Sequence, residues 1–158
     1  MKVPENIARE LPALAAIHVA TRDAALVPDE VMAAAARLSE DGCRLTVYLP
    51  DATSASSLAN LRENGAIAVV LSEPLTHRTV QLKGKAGEIR PAREDEREAV
   101  LLHAASFDAQ VETIGLPPAV VRRRAKWPCH AVTFEVGGAW EQTPGPGAGS
   151  PLAPEGGA

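Results

Sequence analysis

The chain has 158 residues, 46% of them hydrophobic and only 3% aromatic, and a formal net charge of -4. That length suits one domain able to bury a real core, built here from Ala, Val, Leu and Ile. The acidic balance and scarce aromatics argue against a dedicated nucleic-acid binder, and no apolar run approaches the ~18 residues of a membrane span.

Residues 4–15 read as a short helix or an irregular lead-in. Glu5, Arg9, Glu10 and Pro12 interrupt the apolar positions there, unlike the compact block of an export signal, so the expected location is the cytoplasm. IHVATRDA (17–24) reads as the first strand. VMAAAARL (31–38) has helical propensity, yet SEDG follows it and RLTVYL (44–49) follows that. Acidic residues ending in glycine between two extended runs signal a hairpin, so both runs are expected as strands. DATSASSLANLRENG changes period. Leu58 and Leu61 share a face, Asp51, Thr53 or Ser54 can cap the start, and Asn64-Gly65 supplies a left-handed stop. A helix of about three turns is expected there.

AIAVVLSE (66–73) is a continuous apolar run suited to a strand buried on both faces. HRTVQLKGKAGEIR (77–90) alternates, with Arg78, Val80 and Leu82 on one side and Thr79, Gln81 and Lys83 on the other. REDEREAVLLHAASF (93–107) places acids before apolar residues, a helix whose dipole suits that order. LPPAVVRRRAKW (116–127) is expected as a shorter helix whose closing run, Arg122 to Arg124 with Lys126, is either solvated or a grip on a phosphate or an acidic partner, the solvated reading being preferred. HAVTFEV (130–136) reads as a strand, Gly137-Gly138 as its turn, and 139–143 as a last short strand. The domain is thus expected over 1–143, followed by a flexible Pro/Gly-rich tail over 144–158. Hairpins outnumber helical crossovers. An antiparallel barrel with peripheral helices follows.

Few motifs carry chemistry. Cys43 and Cys129 are too few and too separated for a disulfide framework or a CxxC site, and read as buried small apolar residues. His18, His77, His103 and His130 are scattered and show no metal-ligand spacing, and no catalytic acid or base stands out. The hydroxyls at the start of LANLRENG are plain caps, or donors that join a helix N-terminus in holding a phosphate. Arg44 and Arg78 each open a strand, and both would meet one anion if those strands were neighbours of that helix.

The order of these pieces carries a resemblance. NLRENGAIAVVL followed by RTVQLKGKA, with RLTVYLP before them, resembles the FMN-binding split-barrel family that includes pyridoxamine 5'-phosphate oxidase. The resemblance covers about residues 14–143. It implies a mainly β fold with α: a six-stranded antiparallel split β-barrel with peripheral helices. It also implies a homodimer with FMN in a cleft lined by both chains. Carried over, Arg44, Leu45, Thr46 and Val47 run along the flavin, Thr79 contacts its ring, and Arg78 stands beside it at the rim. Ser56 and Ser57 match the phosphate-binding positions, and Trp140 matches an aromatic near the ring. Family members place Arg and Lys where this chain has Ser56 and Ser57. The residues specific to pyridoxamine phosphate find no match. Two functions follow: an FMN-dependent oxidoreductase of unknown substrate, or a cofactor-free split barrel that binds a small ligand or serves as a scaffold.

Overall fold

The computed structural model describes residues 1–152. Burial alternates with period two along 16–22 and 66–72, the pattern of strands with one face on the core. After α1 (Glu5–Glu10) come β1 (Ala16–Arg22), β2 (Pro28–Met32), β3 (Ala35–Leu38) and β4 (Arg44–Pro50). Then follow α2 (Ala55–Asn64), β5 (Ala66–Ser72), β6 (Thr79–Pro91), α3 (Arg97–Thr113), α4 (Pro118–Val121) and β7 (Cys129–Glu141). α2 stops where expected, because Gly65 takes φ 70°, a left-handed conformation that costs glycine little.

All strands join one antiparallel sheet in the order β2-β1-β5-β6-β7-β4-β3. β2 and β3 stand at opposite edges of that order, yet only Ala33 and Ala34 separate them in the chain. Ala33 donates its backbone N–H to Ile17 at 2.9 Å, and Ala34 donates to Tyr48 at 2.8 Å. The two edges therefore meet within two residues, which curls the sheet into a split barrel.

The sheet has seven strands, not the six expected. The stretch expected as one strand over 31–38 starts at Pro28 and breaks at Ala33-Ala34, because its halves pair with different partners. A run of alanines has no period that would show the break. The two C-terminal strands instead fuse into β7. Gly137-Gly138 is not a turn; it lies beside the register shift at Lys83/Gly84. β5 is buried on one face only: Ile67, Val69 and Leu71 are buried and the residues between them are half-buried. The helix expected over 116–127 is the single turn Pro118–Val121. Arg124 and Lys126 are not solvated, since both reach the Asp108 carboxylate of α3. α3 follows a 3-10 turn, Glu94–Glu96, and runs past its expected end because no breaker occurs before Gly115.

Inside the barrel, Leu45, Val47 and Leu49 of β4 meet Val80 and Leu82 of β6 and Val132 and Phe134 of β7. α1 adds Ile7, and α2 adds Leu58 and Leu61. Each such side chain contributes roughly 1.5–3 kcal/mol on burial. A smaller core lies outside the sheet, where Tyr48, Ala35 and Ala131 pack beneath Val100 of α3. Cys129 is buried there, whereas Cys43 is half-exposed, contrary to expectation. Of the stretch expected as a tail, residues 149–152 run back along β7: Leu152 donates to Ala139 at 2.8 Å, and Trp140 pairs with Pro151. Residues 153–158 lie outside the described residues. Among the described residues, no helix is long and apolar enough to cross a membrane.

Candidate functional site

The sequence-assigned residues fall into three groups. The first is on β4. Arg44 opens the strand with a side chain 55% exposed, and its nearest carboxylate, Asp41, is 3.7 Å away. Leu45 and Val47 point into the barrel and are fully buried. Thr46 points outward, and its hydroxyl meets that of Thr133 on β7 at 2.8 Å.

The second group opens α2. Ser56 is exposed. Ser57 is fully buried and donates its hydroxyl to the Asp29 carboxylate at 2.5 Å. Ser54 precedes the helix with a buried hydroxyl that has no partner. The only basic residue of α2 is Arg62, in its last turn. This helix start thus already faces a carboxylate from β2. Within one chain, a phosphate placed on Ser57 would meet the Asp29 charge with no basic residue in the first turn of α2 to offset it, so these serines do not fit a phosphate there.

The third group lies where β6 begins and β7 ends. Arg78 donates through Nε to Glu10 at 2.9 Å and through Nη1 to Glu141 and to the Thr143 hydroxyl. Burial alone would push the Glu141 carboxyl up, but hydrogen bonds from the Thr143 hydroxyl and backbone N–H, and from Arg78, hold it at about 2. The guanidinium is therefore spent on tying α1 to the sheet. The Thr79 hydroxyl donates to His77 and meets Ser72 at 2.9 Å. Trp140 lies in register with Gln81, and the Lys83 ammonium sits 4.7 Å from its ring centroid.

Within one chain these groups do not converge. Arg44 lies opposite Glu135, so Trp140 is five residues further along β7, roughly 17 Å at ~3.3 Å per residue. α2 packs on β1, β2 and β5 instead.

What the fold does bring together lies on the outer face of β4, β7 and β6. A trough of about 800 Å³ is lined by Met1, Arg44, the β6 stretch Gly84–Glu88 and the β7 stretch Thr133–Gly137. Its floor depends on Gly84: a Cβ there would lie 2.1 Å from the Glu135 carbonyl oxygen, so only glycine lets β6 press this close to β7. Gly87 and Gly137 add no side chain. A second groove of about 410 Å³ shares Arg44, Glu88 and Thr133 with it, and adds Arg37, Arg90, Arg93 and Thr46.

Behind this groove sits Glu96, buried at 6% exposure. Arg90 donates to both of its oxygens, at 2.7 and 2.8 Å. The Arg93 backbone N–H and the Tyr48 hydroxyl add further bonds, at 2.8 and 3.0 Å. The Arg90 bonds above all hold the Glu96 carboxyl down at about 2 against the cost of burial. Sequence reasoning missed Arg37, Arg90, Arg93 and Glu96. Arg90 ended the alternating strand and Glu96 stood among helix-start acids, but nothing linked either to Arg37.

No family model and no curated protein matches the sequence. Solved structures do. An F420 reductase superposes with a TM-score of 0.55 at 20% identity, over 87% of this chain and 98% of that one. A candidate pyridoxamine 5'-phosphate oxidase from Lactobacillus delbrueckii gives 0.53 at 15%, over 88% and 93%. An FMN-binding protein from Syntrophomonas wolfei gives 0.50 at 9%, over 85% of each chain. The chain has the FMN-binding split-barrel fold. In this split barrel, no three His, Cys, Asp or Glu side chains among the described residues come together as metal ligands. Burial, then the Arg124 charge, push the His103 pKa below its ordinary value. The concave surface offers cations, hydroxyls and bare backbone, a set suited to binding and orienting a flat anionic ligand.

Proposed function

We propose that the protein is a cytoplasmic, homodimeric flavoprotein that binds FMN in the trough over β6 and β7 and acts as an oxidoreductase. The trough carries this reading. Its volume falls within the ~300–1,000 Å³ of small-ligand sites, and its floor of bare backbone lets a planar ring approach closely. Arg44 and Lys85 offer positive charge at its rim. The free thiols of Cys43 and Cys129 suit a reducing compartment. Among proteins of this fold, one is an FMN-binding protein and one an F420 reductase.

When bound, FMN supplies hydride or electron transfer, and the protein supplies binding and orientation. Arg44 draws the anionic end of the ligand, and the backbone of Gly84 and Gly137 receives the ring. Ser56 and Ser57 play no part in gripping the phosphate within their own chain. The separation of Arg44 from Trp140 and from α2 supports the dimer, because a second copy is what would bring such groups to one cleft.

Titration with FMN, followed by flavin fluorescence and by sedimentation, tests both parts. Micromolar binding to a dimer is expected. No binding at ~1 mM, where affinity is only about -4 kcal/mol, refutes the flavoprotein. The competing reading is a cofactor-free ligand-binding or scaffold barrel. The Ser57–Asp29 bond and the Arg78 ion pairs favour it, and a folded dimer that ignores FMN would establish it.

A further inference from the structure

The second groove adds three cations, Arg37, Arg90 and Arg93, that lie outside the flavin trough. Four arginines, Arg37, Arg44, Arg90 and Arg93, line it against two acids, Glu40 and Glu88, in a chain whose net charge is -4. The sheet register arranges them. Arg37, Thr46, Thr133 and Glu88 form one cross-strand row over β3, β4, β7 and β6. Arg44 stands two residues before Thr46 on the same face, and Arg90 two residues beyond Glu88. Guanidiniums thus border the threonine floor on three sides, in rows about 7 Å apart.

Each of these arginines has a carboxylate within 4 Å, Arg44 having Asp41 at 3.7 Å, yet Arg37, Arg44 and Arg93 remain more than half exposed. Glu96 is already saturated by Arg90, the Arg93 backbone and Tyr48. The Arg37 and Arg93 guanidiniums stop at 3.7 and 3.6 Å from it, beyond hydrogen-bond reach. Their side chains are 60% and 58% exposed. Arg93 also meets Asp95 at 3.3 Å, an exposed pair of little weight. Glu88 lies 3.8 Å from Arg90 and is itself 62% exposed. On the floor, one of the two hydroxyl protons joins Thr46 to Thr133, which leaves the other free to donate.

We infer that this groove binds a small molecule bearing two anionic groups, phosphate or carboxylate, beside the trough. Such a molecule is the substrate class of the proposed flavoprotein. Only the word substrate rests on that proposal; the anion site stands without a flavin. Arg37 and Arg93 grip the anionic groups, and Glu96 holds Arg90 in place as their neighbour.

Pyrophosphate is the probe, titrated calorimetrically into the full chain at constant ionic strength. Saturable binding is expected, and the double variant Arg37→Gln/Arg93→Gln weakens it about a hundredfold or more, since two charge-assisted bonds are lost. Both positions are exposed, so circular dichroism stays unchanged. The control Arg22→Gln/Arg62→Gln, also exposed, leaves binding intact. Succinate tests the carboxylate form, and binding of either probe supports the inference. Absence of binding by both probes at ~10 mM, or equal losses in the two double variants, overturns it. Displacement of pyrophosphate by FMN but not by riboflavin also overturns it, by making the groove the cofactor's own phosphate seat. Pyrophosphate binding by a protein that ignores FMN upholds the anion site and refutes only the flavoprotein.

Discussion

Replacing Glu96 with glutamine removes the charge from a buried carboxylate held by four hydrogen bonds. The side chain is buried, and Arg90 grips both oxygens. Its carboxyl falls from the ordinary 4.5 to about 2, which at ~1.4 kcal/mol per pH unit corresponds to roughly 3 kcal/mol of folding stability. The folded-state value is depressed, so this stability is fully present above pH ~4.5 and fades as the pH falls towards 2. Glu96→Gln keeps the shape and some hydrogen bonds but loses the charge. It is expected to unfold about 6–12 °C earlier at pH 7, given ~2–4 °C per kcal/mol at this chain length. The gap from the parent narrows as the pH drops from 5 to 2.5, because the parent then loses the same charge. Thermal unfolding by circular dichroism over that range measures it. Glu141, held down in the same way, titrates in both proteins and cancels. A gap that stays constant from pH 7 to pH 2.5 would refute the argument, since the lost stability would then come from shape and not from charge.

Other parts of the structure are as open to test. Arg78→Gln breaks the link from α1 to β7 and costs about 1–3 kcal/mol in urea unfolding, while FMN affinity stays as it was; a selective loss of FMN binding would restore the arginine to the ligand site. Gly84→Ala drives a Cβ to within 2.1 Å of a backbone oxygen, so its cost reaches or exceeds the ~1–3 kcal/mol usual for overpacking. A variant as stable as the parent in chemical denaturation would contradict that contact. Cys129 is buried, and its thiol is pushed up to about 12, chiefly by burial and then by Asp51, whereas Cys43 is half-exposed. A thiol reagent at pH 8 should therefore label one cysteine per folded chain and the second only after denaturation; equal rates would disprove the burial.

Where the sequence carried a clear period or a stop, its reading survived folding. β6 announced itself by alternation, β4 by its strand-prone residues and the turn before it, and α2 by its leucines and the Asn64-Gly65 stop. Ala33–Ala36 and Gly137-Gly138 misled for one reason: alanine and glycine are small enough to sit in a strand, a bend or a bulge. The Arg122–Lys126 run misled differently. Its charges could be read, but the acid that takes Arg124 and Lys126 lies on α3.

The local code of this chain, its hydrophobic period and its turn residues, was enough to determine a mainly antiparallel barrel with a helix after the RLTVYL strand, because those preferences act between near neighbours. Which polar groups meet is a matter of register and curl. Ser57 meets Asp29, and Arg78 meets Glu10 and Glu141, only once elements distant in sequence are laid side by side. Folding thus spent Ser57 and Arg78, which looked ready for a phosphate, and left Arg37, Arg44 and Arg93 more than half exposed around two threonines. The electrostatics of the surface was decided there, since ion pairs depend on separations of a few ångströms that no residue spacing encodes.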